Sequence, residues 1–178
     1  MTLIFAQENS NQVLRDFINW RVDQTVDANC QDYRYIHIDK ELIDWQSEQD
    51  FVDNYLRDLD SSEINQLIIK HKPSREKYEE LKLMLHSDDY PSFSAQLSSS
   101  ELTWMPEFKK IKCSKGLKSS ATFRFSKPLI SLDQKVILIT EELANDKIIC
   151  WNRKIVAYMK TDDTWNEALI FNQRSLCQ

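Results

Sequence analysis

One glycine, Gly116, serves the whole 178-residue chain, and that scarcity constrains fold and chemistry together. Tight turns with positive φ and close approach of backbone to phosphate both favour glycine. The turns here must be built from Asn, Asp, Ser and four prolines instead. No G-x-G-x-x-G, G-x-x-x-x-G-K-[ST] or G-x-S-x-G pattern occurs, so the dinucleotide-binding, P-loop and nucleophile-elbow readings fall away.

A chain of this length with 42% hydrophobic residues can bury one sizeable core, and a single domain over 1–178 is expected. Charged residues at 29% and five Trp argue against both disorder and coiled coil. The net charge of −5 disfavours general affinity for nucleic acid, although it averages two unlike halves. Residues 1–90 hold 19 acids and 10 bases, a balance of −9; residues 91–178 hold 9 acids and 13 bases, a balance of +4.

Met1–Gln7 has the form of the tail of a secretory signal, an apolar run ending in a small residue, but it lacks a basic leader. Residues 1–8 are therefore set apart as a candidate signal remnant. No later apolar run approaches the length of a membrane span. Cys30, Cys113, Cys150 and Cys177 are too widely spaced for a zinc pattern. They suit either two disulfides in an exported chain or four buried thiols in a cytoplasmic one. If bridges form, Cys150 and Cys177 are the first pair to consider, since both fall in the terminal strand region.

Along the chain, Val13, Leu14, Phe17, Ile18 and Val22 recur at helical spacing after Ser10, predicting a helix over 11–27. Tyr33–Ile38 is rich in strand formers. Helical periods return over 42–59, 61–72 and 74–87, so 9–87 reads as mainly helical. Residues 88–120 contain Pro91, Ser98–Ser100, Pro106 and Gly116 and are expected to be a long connection with at most one short helical turn. From 121 the pattern turns β-rich, over 122–130, 135–142, 148–159 and 167–171, with short polar turns between that demand an antiparallel meander. The expected fold is α+β: N-terminal helices on a C-terminal meander of about four strands, with a curved, cone-like sheet as one form of it.

The segments Phe123–Ser131, with Ser126-x-Pro128, Asp133-x-Lys135 and Trp165 resemble the ending of small exported proteins of unknown function from the Bacteroidetes. In that group a Ser-x-Pro strand, an Asp-x-Lys turn and a late Trp recur. The resemblance implies a location outside the cytoplasm, secreted or periplasmic, and no activity. The Cys-Gly-rich turn that such proteins carry between the second and third strands has no counterpart in Glu141–Asp146.

His37, His71 and His86 lie in different elements, and none pairs at the i, i+3 or i, i+4 spacing of a two-imidazole metal grip. No metal and no cofactor is expected. Adjacent acids such as Glu141-Glu142 and Asp162-Asp163 are expected to point apart into water rather than form a glycosidase-like pair. Nine acids between Asp39 and Glu63 face only Lys40 and Arg57; Asp50, Asp53 and Asp58 mark this as a candidate docking face for a basic partner. Seven bases and no acid between Phe108 and Leu132 make Lys109, Lys110, Lys112 and Lys115 candidate anion-binding residues. Tyr90, Phe93 and Trp104 either plug the core under the sheet or present an aromatic patch to a partner.

These features favour a non-catalytic exported protein that binds a protein or envelope partner. The alternatives are a cytoplasmic immunity-type inhibitor whose acidic half covers a basic toxin, and a small hydrolase or ligand-binding cup of the cone-shaped class.

Overall fold

The structure, a computed structural model, describes residues 2–39, 43, 62, 65, 75–98, 109–115, 118–145 and 150–177. Those residues form three helices and one sheet of seven strands, an α+β arrangement. In chain order the elements are α1 (Thr2–Asn29), β1 (Tyr33–Ile38), α2 (Arg75–Met84), α3 (Asp89–Ser98), β2 (Lys109–Lys112), β3 (Lys118–Phe125), β4 (Leu129–Ile130), β5 (Val136–Asn145), β6 (Cys150–Thr161) and β7 (Thr164–Cys177).

The expected meander is present, since β3, β5, β6 and β7 pair antiparallel in sequence order. The sheet is nevertheless larger than four strands. It is open, with the order β2-β1-β3-β5-β6-β7 and β4 alongside β5. The extra strands come from the N-terminal half and from the supposed connection. β1 enters between β2 and β3, parallel to β3 with Ile36 opposite Ala121 and Ile38 opposite Phe123. A parallel neighbour leaves no local turn signature, so the strand formers of Tyr33–Ile38 fit a short strand or an extended link equally and show no partner.

Residues 88–120, expected as a connection, contain a ten-residue helix and a strand. Pro91 does not bar a helix there, because it falls in the first turn of α3, where the missing N–H would have had no intrahelical partner. Lys109–Lys112 carries no alternating apolar face to mark it as a strand, yet pairs antiparallel with β1 from Tyr35–Lys112 to Ile38–Lys109. Helix α1 also begins before residue 11, its backbone running unbroken from Thr2 through Ser10.

Two apolar layers flank the sheet. Along β5 the side chains alternate: Ile137 and Ile139 join Phe17, Ile18 and Val22 of α1, whereas Leu138 joins Tyr78 and Leu81 of α2 and Phe93 of α3. Burial on both faces explains why Val136–Ile139 is a continuous apolar run rather than an alternating one. The α1 layer is largely aromatic, with Trp165 edge-on to Phe17 at 5.2 Å and 74° and Trp20 edge-on to Tyr158 at 5.7 Å.

Polar side chains lock α3 to the strands. Asp89, 1% exposed, accepts from the backbone N–H of His86 at 2.8 Å and of Leu132 at 2.7 Å. The Gln96 amide acts as a strand partner for Ile130, donating to its carbonyl at 2.8 Å and accepting from its N–H at 3.0 Å. The turns answer the glycine shortage as well. Gln134, Asp162 and Asp163 take positive φ of 60°, 48° and 61°, and Asp162-Asp163 forms the two-residue β6–β7 hairpin loop whose primed geometry needs two such residues.

Both sheet edges are guarded against strand addition. β2 is four residues long and carries three lysines, a common defence of an edge. β7 takes an extra residue at two register shifts opposite Arg153–Ile155 and Ala157–Tyr158, and Lys77 of α2 donates to its Ile170 carbonyl at 3.0 Å.

Candidate functional site

The densest polar chemistry lies under α1, at the middle of β5. Strand alternation turns Glu141 inward towards α1, beside Lys154 of β6, its register partner. Glu141 is 5% exposed. The Arg21 guanidinium grips it with two nitrogens, Nε to Oε1 and Nη2 to Oε2 at 2.7 Å. The Tyr158 hydroxyl donates to Oε1 at 2.7 Å. Lys154 Nζ lies 3.6 Å from Oε2 and also donates to Glu167 at 2.8 Å. Arg21 stands above the Tyr158 ring at 5.6 Å as well.

Burial by itself would raise the Glu141 carboxyl pKa, but the hydrogen bonds and charge of Arg21, with Lys154 and Tyr158 adding to them, hold it below the usual carboxylate range. Desolvation and the Glu141 charge push the Tyr158 phenol in the opposite direction, far above its ordinary value. A carboxylate held ionised and a phenol held protonated do not trade a proton near neutral pH, so the group is poorly poised for general acid–base work. Its charges are instead matched across the α1–sheet boundary, fastening helix to sheet.

Glu142, the next residue, points to the opposite face and is also 5% exposed. Arg124 of β3, directly across the ladder, reaches Glu142 at 3.3 Å and Asp39 at 3.1 Å. The expectation that the Glu141-Glu142 pair points into water is overturned by this. On a central strand, adjacent residues enter opposite layers, and here each meets an arginine distant in sequence. The register could not be read from local spacing, so neither ion pair was foreseen.

Cys30, just beyond α1, is bridged to Cys113, just beyond β2, with an S–S distance of 2.04 Å. The helix ends there in a short turn, Cys30 N donating to Val26 O at 2.8 Å and the Asn29 side chain to Thr25 O at 2.9 Å. The bridge ties the end of α1 to the edge of the sheet.

Among the described residues, the candidates singled out by sequence fall on α3 and on β2 with the turn after it. Lys109, Lys110 and Lys112 are exposed on β2, and Lys115 is exposed in the turn after it. Lys110 lies over the Tyr35 ring at 4.9 Å. Phe93 is fully buried and Tyr90 half-buried in α3. Asp50, Asp53, Asp58, Trp104 and His71 lie outside the described residues. Of the other histidines, His37 is half-buried in β1 and His86 is exposed between α2 and α3. Among the described residues no three of His, Cys, Asp and Glu gather as a metal would need, and no helix is long and apolar enough to cross a membrane.

A shallow cleft of about 440 Å³ opens where Val13 of α1 meets the β4–β5 turn and the β6–β7 hairpin, lined by Asp133, Gln134, Lys135, Lys160, Asp162 and Asp163. Its polar groups hold the turns. Asp133 accepts from the Ser131 hydroxyl at 2.6 Å and the Lys135 N–H at 3.0 Å, and Lys160 pairs with Asp163 at 3.3 Å. Partial desolvation opposes ionisation of Asp133, but those two hydrogen bonds, with the nearby charges of Lys135 and His86, lower its pKa. The Asp-x-Lys turn and Trp165, prominent in the sequence, thus have architectural work within the fold. No protein-family model, curated protein or solved structure matches the chain.

Proposed function

We propose that this chain is a non-catalytic binding protein that works outside the cytoplasm and holds a protein or envelope partner. The observation that carries the reading is the Cys30–Cys113 bridge, because structural disulfides persist where thiols are not kept reduced. The buried charges support the same reading. Three groups shifted from their ordinary values, Arg21, Glu141 and Tyr158, are committed to one another beneath α1 rather than aimed into a cleft.

Guarded edges at β2 and β7 make strand addition a poor route to a partner, which leaves faces and loops. The acidic run with Asp50, Asp53 and Asp58, together with Tyr90 and Trp104, supplies the candidate contact residues. Lys109, Lys110, Lys112 and Lys115 offer a basic counterpart for an anionic envelope component.

The test is retention on immobilised, oxidised full-length chain, with envelope and cytosolic extracts of the parent cell run side by side. An envelope component that is retained, and displaced by free folded chain but not by reduced and denatured chain, supports the reading. Retention from the cytosolic extract alone, or turnover of the captured molecule by the chain, contradicts it.

A further inference from the structure

The β6–β7 ladder sets Cys150 directly opposite Cys177 at the open end of the hairpin, with Trp151–Leu176 and Asn152–Ser175 as the next pairs inward. Residues directly opposite in an antiparallel pair have Cα atoms about 4.5 or 5.5 Å apart, depending on whether they form the non-hydrogen-bonded or hydrogen-bonded type. Both spacings fall within the roughly 4.4–6.8 Å that a disulfide spans. The remaining two cysteines, Cys30 and Cys113, are already joined to each other, so no competing partner exists within the chain. We infer that Cys150 and Cys177 form a second disulfide, which closes the β6–β7 hairpin at the end away from its tight turn.

The placement gives the bond a purpose. β7 is the outermost strand on its side of the sheet, so its ladder is held by β6 alone. The Asp162-Asp163 loop pins one end of the hairpin, and the register shift at Arg153–Ile155 interrupts the ladder before its last pairs. A covalent tie at Cys150–Cys177 holds that last stretch in register.

The chemistry needs a two-electron acceptor, supplied by a disulfide such as oxidised glutathione or a disulfide-donating oxidoreductase. The Cys150 thiolate attacks the acceptor disulfide and expels one acceptor thiolate. The Cys177 thiolate then attacks Cys150 Sγ and expels the second. One S–S bond forms, one is broken, and the two thiol protons leave with the acceptor. The inference concerns the pairing alone and does not depend on the proposed function, because refolding in a glutathione buffer tests it in any compartment.

The experiment is tryptic mapping of the refolded full-length chain after thiol blocking under denaturing, non-reducing conditions. The expected product is Ile148–Arg153 linked to Ser175–Gln178, present without reductant and absent with it. Blocking reagent on Cys150 and Cys177, or a link from either to Cys30 or Cys113, overturns the pairing. A Cys150→Ser variant provides the control. It should keep the Cys30–Cys113 link and gain one blockable thiol, at Cys177. Cys177 captured instead by Cys30 or Cys113 would overturn the inference, since it would place that residue within reach of the other bridge.

Discussion

Replacing Glu141 by Gln should be the most damaging single conservative change in the sheet. The substitution keeps shape and one acceptor oxygen but removes the charge that answers Arg21 and Lys154. Arg21 is left with its side chain only 15% exposed and no carboxylate. Removing one partner of a buried ion pair costs about 3–5 kcal/mol, because the other charge stays desolvated. For a domain of this size each kcal/mol lowers the melting temperature by roughly 2–4 °C, so the expected loss is about 6–20 °C. Urea unfolding followed by Trp fluorescence gives the free energy directly. Replacing three partners together, Arg21→Met, Glu141→Leu and Tyr158→Phe, should recover most of the loss, since the apolar set leaves neither an orphan Arg21 charge nor the Tyr158 hydroxyl without its acceptor. The pH dependence carries its own sign. The folded-state pKa of Glu141 is depressed, so its contribution is fully present above the unfolded carboxylate value and is lost as pH falls from there through the folded value. Wild-type stability should therefore drop below the ordinary glutamate range more steeply than that of Glu141→Gln, with Asp133 contributing equally to both. A loss under about 1 kcal/mol, or identical acid limbs, would refute the assignment of this pair as the clamp of α1.

Three further outcomes are expected. Substituting Cys30 and Cys113 together by Ala frees a loop closed over a sequence separation of 83, which the chain-entropy relation values at about 4.5 kcal/mol, readable as a lower urea midpoint with a steeper slope, because the unlinked denatured chain exposes more surface. Gln96→Ala strips Ile130 of both side-chain hydrogen bonds and should cost about 1–3 kcal/mol by calorimetry, with secondary structure retained in circular dichroism. Reversing Asp50, Asp53 and Asp58 to Lys should slow association with a captured basic partner and flatten its salt dependence, measured by surface plasmon resonance; unchanged rates would remove this face from the contact.

How much of this was legible in the sequence follows from the range of the interactions involved. The period of Val13, Phe17 and Val22 gave α1 and its buried face, and the β-rich runs after 121 gave the meander, because both depend on neighbours a few residues away. The helix at Asp89–Ser98 was obscured by Pro91 and by serines, whose low helical propensity is overridden by the packing of Phe93 and the anchoring of Asp89 and Gln96. β2 was invisible because its identity lies in backbone pairing with β1 rather than in an apolar pattern. The ion pairs Arg21–Glu141 and Arg124–Glu142 and the bridge Cys30–Cys113 join positions distant along the chain. Composition announces their members but not their pairing. For Cys150 and Cys177 the sequence guess rested on a shared strand region, and the register now gives it a geometric basis.

The proposed location in an oxidising compartment is tested most directly by the redox state of Cys30 and Cys113 in the living parent cell. Cells are quenched in acid, free thiols are tagged with a mass-shifting maleimide, and tagging is read at each cysteine by peptide mass spectrometry. The account predicts that Cys30 and Cys113 stay untagged at steady state and become tagged only after reductant is added before the quench. Full tagging of both residues without reductant would place the folded chain among reduced thiols and contradict the account.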